Sequence, residues 1–428
     1  MLRWLDSHVN RETGAGPGRD RIANPTRDRI HSLLELLGSP QIEYPAIHLT
    51  GTNGKTSTAR MVVELLDALG ASTGAYTSPH LERVNERLSF RGEPIADDDL
   101  AEVLRAVALA EQAGAVDPSY FEILTAAAFE WFANVAVDIA VVEVGLGGTW
   151  DATNEIDARI AVITNVAIDH VEYLGPTREG IAEEKAGIIK PGATLVLGEV
   201  DPELAPIFER RGAARVVRRH ADFGVGRNEL AVGGRLIDLK SPGREYPGIF
   251  LPLHGAHQAD NAAIALATAE MFLGEPLDAD IVSRAFANVT SPGRLEVVRR
   301  QPLVLLDGAH NVAGAEALRS ALAEAFADAP RTLVVGLLRE KEPHEMLAAL
   351  GLDDAAALIT CRAPSPRALD ATTIAKAALE MGFDPERVEV VDSVEEAIGA
   401  AMLGVPDDGQ IVITGSLYVV GAARALLT

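Results

Sequence analysis

At 428 residues, 48% hydrophobic and 23% charged, the chain has the make-up of a globular protein of two or three domains. Its net charge of −24 argues against nucleic acid and anionic membrane as partners, since both need a basic surface, and no apolar run approaches the ~20 residues that span a bilayer. The single cysteine, Cys361, excludes an internal disulfide and a thiolate metal cluster, and the stretch Met1–Asp6 lacks a secretory hydrophobic core, which together favour a cytoplasmic protein.

Residues 1–24 read as polar and irregular, with Gly14-Ala15-Gly16-Pro17-Gly18 as a flexible piece. Asn24-Pro25-Thr26 is placed to cap a helix through Leu37, whose Ile30, Leu33, Leu34 and Leu37 recur at helical spacing until Gly38-Ser39-Pro40 stops it. The apolar run Ala46–Leu49 follows. It ends in Gly51-Thr52-Asn53-Gly54-Lys55-Thr56-Ser57, and a helix-like run Thr58–Leu69 comes next. Strand, glycine turn and helix form the context of a phosphate-binding loop. Two glycines let backbone N–H groups crowd around an anion, and the helix N-terminus adds partial positive charge. Lys55 is placed to reach outer phosphates, and a hydroxyl at Thr56 or Ser57 to ligate Mg²⁺. The loop is shorter than the full Walker pattern, because Leu49 stands where that pattern has its first glycine.

Ser72–Tyr76 predicts a short strand running into Thr77-Ser78-Pro79-His80-Leu81 and Arg83-Val84-Asn85-Glu86-Arg87. Helices are predicted over Asp97–Ala113 and Tyr120–Asn134. Buried parallel strands are predicted at Ile139–Val144 and Ile160–Asn165. Ligands on such sheets sit at the carboxyl ends of strands, where Glu143 and the residues after Asn165 fall. Residues 194–250 read as short strands and turns, a small β-rich insertion, and Gln258–Phe272 as a helix. After Ser291-Pro292-Gly293 a second α/β series begins, with strands near 303–307, 332–337, 356–360, 387–391 and 410–414. The expected fold is α/β: a phosphate-loop domain with a mostly parallel sheet and a small β-rich subdomain over residues 1–293, then a smaller Rossmann-like domain over 294–428.

Four further stretches bear chemistry. Gly145-Leu146-Gly147-Gly148 either admits a ligand close to the backbone or merely closes a tight βα connection. Asp169 and His170 lie just past a core strand, where His170 is either a structural loop residue or a partner of Glu143 on one divalent ion. Lys185, beside Glu183 and Glu184, reads by chemistry alone as a solvated ion pair. Asp307-Gly308-Ala309-His310-Asn311 ends the first strand of the second series and is site-like, with helix capping by Asn311 as the competing reading. No Gly-x-Ser-x-Gly elbow and no zinc-type histidine pair is present, which argues against a serine hydrolase or a zincin.

The order of these motifs, with Asp151-Ala152-Thr153-Asn154, Glu184-Lys185-Ala186-Gly187-Ile188-Ile189-Lys190 and Ser291-Pro292-Gly293-Arg294-Leu295-Glu296, resembles the folylpolyglutamate synthase / dihydrofolate synthase branch of the Mur ligase superfamily. The resemblance covers residues 25–425. It implies ATP-dependent joining of L-glutamate to a folate carboxylate through an acyl phosphate, in a monomer whose two domains close over the site about a hinge near Ser291-Pro292-Gly293. It assigns the ATP phosphates to Gly51, Thr52, Asn53, Gly54, Lys55, Thr56 and Ser57, with Asn261, Arg294 and Asp307 also at the nucleotide and His310 beside it. Ser78, Glu143 and His170 match Mg²⁺ ligands, with Thr56 and a carbamoylated Lys185 helping to hold metal. Phe121, Glu122, Ile123 and Leu124 with Trp150, Asp151 and Ala152 match the place of the pterin end, and Arg83 is grouped with them as a substrate contact. Lys55, Lys185, His170, Asp307 and His310 are the expected catalytic residues.

Two positions depart from the branch. Thr56 stands where many members have glycine, as in the peptidoglycan Mur ligases, and Thr149-Trp150 where Arg-Leu is common. Mur enzymes carry a UDP-sugar domain of about 100 residues before the loop, and here 50 residues precede Gly51, which favours the folate branch. A Mur-type ligase acting on another acyl acceptor and a non-catalytic ATP-binding module are the rival readings.

Overall fold

The computed structural model describes residues 1–10, 12, 26–327 and 329–428. Gly14–Gly18 and the proposed cap residues Asn24 and Pro25 lie outside the described residues. The chain divides into two compact units, one of residues 1–252 and 258–289, the other of residues 253–257 and 290–428.

The first unit is built on an eight-stranded sheet of β1 (Ala46–Thr50), β2 (Thr73–Tyr76), β3 (Leu88–Phe90), β4 (Glu93–Pro94), β5 (Ile139–Glu143), β6 (Ile160–Ile163), β7 (Thr194–Leu197) and β8 (Arg215–Arg218). Their spatial order is β4-β3-β2-β5-β1-β6-β7-β8. Pairing is parallel from β2 through β8 and antiparallel at the β2-β3-β4 edge. β1 sits between β5 and β6, and all five of its residues are buried. The chain leaves β1 toward one side and returns later on the other, so the end of β1 is a topological switch point.

Both faces of the sheet are covered. The helices Asp28–Leu36, Asp97–Gly114 and Tyr120–Asn134 pack Leu33, Leu104, Phe129 and Phe132 with Ala140 and Val142 of β5. Farther along the same face, Ile181 and Ala182 of the helix Arg178–Lys185 pack with Ala161 and Ile163 of β6 and with Leu195 and Phe208, while Ile47, Leu49, Val141 and Val162 are fully buried on the opposite face. Phe132 is fully buried, and its ring lies so close to Gly74 that a Cβ there would stand 2.7 Å from it. Cutting such a side chain to alanine costs about 3–5 kcal/mol.

The β-rich insertion is narrower than the sequence suggested. Its first two strands, β7 and β8, extend the main sheet, and only β9 (Gly224–Ala231), β10 (Gly234–Lys240) and β11 (Glu245–Leu251) form a separate antiparallel sheet. The reason lies in burial: Leu195, Val196 and Leu197 form the continuous apolar run of a strand covered on both faces, whereas β11 alternates buried and exposed residues over much of its length.

The second unit has a six-stranded sheet of β12 (Glu296–Arg300), β13 (Leu303–Leu306), β14 (Arg331–Val335), β15 (Ala357–Thr360), β16 (Val388–Val390) and β17 (Gln410–Thr414), in the order β12-β13-β17-β14-β15-β16. All pairs are parallel except β12 with β13. β12 was not anticipated. Its Val297 and Val298 are flanked by Glu296, Arg299 and Arg300, and such a half-polar run suits an antiparallel edge. Among the described residues no helix is long and apolar enough to cross a membrane.

Candidate functional site

The loop after β1 is held by the segment that follows β6. Thr52 N–H donates to the Asn165 carbonyl (3.0 Å), and Asn53 N–H donates to Asn165 Oδ1 (3.0 Å). The Asn53 carbonyl accepts from Thr164 Oγ1 (2.7 Å) and Asn165 Nδ2 (3.0 Å), and Ala167 N–H donates to Thr52 Oγ1 (3.0 Å). Gly54 takes φ +81, and a Cβ on it would stand 2.5 Å from Asn261 Oδ1, so glycine is required there on both counts. The helix Lys55–Ala68 starts at once, three residues earlier than the apolar periodicity suggested, with Gly54 as N-cap and no side-chain cap. A helix start of this kind points backbone N–H groups and a positive dipole end into the loop. Lys55 Nζ donates to the Gly51 and Thr52 carbonyls (2.9 and 3.2 Å), which folds its cation over the loop.

Around this loop the sheet order brings strand ends together. Ser78 follows β2, Glu143 ends β5, the loop follows β1 and His170 follows β6, and these four strands are consecutive neighbours in the sheet. Glu143 is buried, and Thr56 Oγ1 lies 3.0 Å from each of its carboxylate oxygens. His170 has φ +50, and its N–H donates to Asp169 Oδ1 (2.9 Å). Among the described residues no three His, Cys, Asp or Glu side chains cluster as a metal group would require. The expected ligand set holds only two of these residue types. Its other members are hydroxyls and a lysine, so hard oxygen donors at Thr56 and Glu143 are the part whose chemistry suits Mg²⁺.

Lys185 ends the helix Arg178–Lys185 and is 4% exposed, so it is no solvated surface pair. Burial is the main reason its amine is lowered to about 7, and the positive charge of Lys55 adds to this, against Asp169, Glu184 and Asp151. A fully formed hydration shell would keep a lysine far more basic, and sequence spacing alone cannot report burial.

The glycine turn after β5 packs directly on that helix. Cβ atoms on Gly147 and Gly148 would come within 2.8 Å of Glu184. Thr149 N–H donates to the Glu184 carbonyl (3.0 Å) and Trp150 N–H to Glu184 Oε1 (3.3 Å). Asp151 is buried. It accepts from Leu146 N–H (2.9 Å), Thr153 N–H (3.0 Å) and Thr153 Oγ1 (2.5 Å), while burial pushes its carboxyl upward.

The expected substrate contacts divide. The Phe121 ring covers Gly145, where a Cβ would lie 2.5 Å from it, and Trp150 is partly exposed. Ile123 and Leu124 are fully buried in the helix-side core, and Ala152 joins the same core. All three side chains are therefore part of that core. Glu122 serves the capping box with Ser119 and pairs with Arg29 (3.0 Å). Arg83 is exposed and pairs with Asp97 (2.6 Å).

In the second unit, Asp307 follows β13. Its carboxylate accepts from Leu295 N–H (2.8 Å) and Ala309 N–H (2.8 Å), and burial pushes it above the ordinary range against the pull of Arg294. The Arg294 guanidinium lies over Gly308, where a Cβ would stand 2.3 Å from Nη1. His310 Nδ1 contacts the Gly308 carbonyl (2.8 Å). Asn311 does cap the next helix, accepting from Gly314 N–H (2.8 Å). The missed residues are those that hold the loop, Thr164 and Asn165. Their one sequence signal is a polar pair at the end of an apolar strand.

A phosphate-type loop at a parallel sheet's switch point, with a hydroxyl–carboxylate pair and a buried lysine beside it, defines the class as a nucleotide-dependent enzyme of the Mur ligase kind. The Mur ligase middle domain matches residues 100–269, and the Mur ligase glutamate ligase domain matches residues 293–417. The chain is 45% identical to the dihydrofolate synthase/folylpolyglutamate synthase of Mycobacterium tuberculosis, over 94% of this chain and 90% of that one. A solved Mycobacterium tuberculosis folylpolyglutamate synthase complexed with ADP and AMPPCP superposes with a TM-score of 0.89 at 45% identity, covering 94% and 95% of the two chains. A bifunctional folylpolyglutamate synthase/dihydrofolate synthase with Mn, AMPPNP and L-glutamate bound gives a TM-score of 0.85 at 28% identity, covering 100% and 97%. The chain belongs to the dihydrofolate synthase/folylpolyglutamate synthase family.

Proposed function

We propose that this protein is an ATP-dependent ligase that adds L-glutamate to a folate carboxylate, extending reduced folates and converting dihydropteroate to dihydrofolate. The observation that carries the reading is the phosphate loop whose Thr56 hydroxyl meets the buried Glu143 carboxylate, in a chain of this family. The family relative with Mn, AMPPNP and L-glutamate bound supports the same substrates and a divalent cation here.

The residues act in sequence. The loop amides and Lys55 hold the nucleotide phosphates, and the loop's bonds to Thr164, Asn165 and Ala167 keep it in shape. Thr56, Glu143, Ser78 and His170 are the groups to hold Mg²⁺, which when bound neutralises phosphate charge. In phosphoryl transfer the protein's part is positioning and electrostatics. The folate carboxylate oxygen attacks the γ-phosphorus, and the bond to the β-bridging oxygen breaks, leaving ADP. The neutral amine of glutamate then attacks the acyl carbon. Phosphate departs, and the amine loses a proton. Lys55 balances charge in the first step, and Arg294, Asp307, Asn261 and His310 are assigned to the nucleotide. Phe121 and Trp150 line the acceptor side, supported by Asp151, Ala152, Ile123 and Leu124.

Lys185 is assigned as a carbamoylated residue. With its amine lowered to about 7, much of it is neutral at neutral pH. Its lone pair can add to CO₂, releasing one proton and turning a cation into a carboxylate able to help hold metal. Residues 1–293 are the ATP-binding part and 294–428 the glutamate ligase part in this reading.

The test is ADP release measured separately with dihydropteroate and with tetrahydrofolate, each with and without glutamate. Glutamate-dependent release with both acceptors is expected. Release with neither, alongside turnover of another acyl acceptor, overturns the folate assignment in favour of a different Mur-type reaction.

A further inference from the structure

β1 carries a histidine that the reaction above does not use. His48 is fully buried in the middle of the strand that feeds the phosphate loop. A buried imidazole among apolar neighbours is costly unless it is bonded. Side chains alternate along a strand, so His48 and Thr50 share one face. Both reach the same neighbour: His48 Nε2 lies 2.8 Å from Thr153 Oγ1, and Thr50 Oγ1 donates to the Gly147 carbonyl (2.8 Å). The two bonds act as rungs between the phosphate-loop strand and the turn Gly145–Asn154.

The direction of the first rung follows from proton counting. Thr153 has one hydroxyl proton, and it goes to Asp151 Oδ1. His48 Nε2 must then be the donor, which assigns the neutral Nε2–H tautomer. Nδ1 is a buried atom without a hydrogen-bond partner. Burial, with the charges of Lys190 and Arg27 against it, lowers the imidazole to about 3, so no second proton binds near neutrality. The chain of bonds continues from Asp151 Oδ2 to Leu146 N–H, next to the glycine that Phe121 covers.

We propose that His48 is a positioning residue that registers the acceptor-side turn against the phosphate loop, so that the carboxylate to be phosphorylated meets the nucleotide in line. The proposal rests on the functional reading above, in which Phe121 and Trp150 line the acceptor side. Misplacement by about 1 Å is enough to cost about 100-fold in rate.

Full-length wild type, His48→Leu, His48→Gln, Thr153→Val and the double variant His48→Leu/Thr153→Val are compared. Binding of AMPPNP by calorimetry reports the phosphate loop, and kcat/KM for tetrahydrofolate reports the acceptor side. With His48→Leu, kcat/KM for the acceptor is expected to fall about 10- to 100-fold while the AMPPNP Kd stays within about two-fold. Glutamine, which keeps a donor near the Nε2 position, should recover most of the loss. Thr153→Val should match His48→Leu, and the double variant should be no worse than either, because all break one chain. Nucleotide affinity falling in step with acceptor efficiency, a glutamine variant as poor as leucine, or losses that multiply would overturn the proposal. ¹⁵N NMR of histidine-labelled wild type, with His48 assigned by its loss in the glutamine variant, should show the neutral Nε2–H form. The Nδ1–H or doubly protonated form also overturns it, even where His48→Leu does not fold. If wild type releases no ADP with any folate, the functional reading falls, and the tautomer and the AMPPNP comparison still decide whether the rung exists.

Discussion

Two turns of this protein look alike in the sequence and do opposite things with their backbone. Each leaves the carboxyl end of a parallel strand and opens a helix. After β1, the helix starts on Gly54 with no side-chain cap, and the glycine turn is held from outside by Thr164, Asn165 and Ala167. After β13, side chains of the turn take up backbone amides: Asp307 accepts from Leu295 and Ala309, and Asn311 from Gly314. The first arrangement leaves a helix start ready for an anion. The second presents side chains, Arg294 and His310, around a closed backbone. Glycine content separates a cradle from a bracket less well than the question of who caps the helix.

The largest effect should come from removing the cation of the open turn. Lys55→Ala is expected to lower ATP turnover by about 1000-fold or more with the fold intact, read by ADP release and circular dichroism. Ligase rates near wild type would mean the open turn is not a phosphate site. Gly54→Ala tests the same turn through its backbone. Positive φ and the approach of Asn261 oppose a Cβ, so kcat/KM for ATP should fall about 100-fold. An unchanged value would show that the turn tolerates a different shape.

A smaller effect concerns Lys185, which lies beside the open turn and has no counterpart in the closed one. In CO₂-free buffer activity should drop about ten-fold and return with bicarbonate. Carbamoylation needs the neutral amine, whose fraction grows as pH rises through about 7. When dissolved CO₂ is titrated at each pH, half-restoration at pH 6 should therefore need at least about ten times more CO₂ than at pH 8. The reverse pH order, or no dependence at all, would remove the carbamate from the account. The smallest effect belongs to the closed turn: Asn311→Ala should cost about 1 kcal/mol in urea unfolding and leave the ATP KM within about two-fold.

The sequence made the sheets legible because β1, β5 and β6 are short apolar runs each closed by a polar residue at the ligand end. The helix Tyr120–Asn134 has the bounds that its run of alanines and aromatics suggests. Ser119 and Glu122 form its capping box, and the helical turn after it sends Ile123 and Leu124 into the core. Lys185 shows the limit of local reading. Its neighbours Glu183 and Glu184 suggest a wet ion pair, yet Ile181 and Ala182 anchor its helix on the sheet and draw the amine out of water. His48 was passed over because a polar residue inside an apolar strand breaks the pattern without saying what it meets.

The bonds that tie Thr52 and Asn53 to the end of β6 have a thermodynamic consequence. A loop that orders only around its ligand loses conformational entropy at the moment of binding, roughly 1–2 kcal/mol for each residue fixed. Here Asn165 and Thr164 impose that order when the sheet forms. Nucleotide capture should therefore carry little ordering penalty, and its heat should vary weakly between analogues that share the same phosphates.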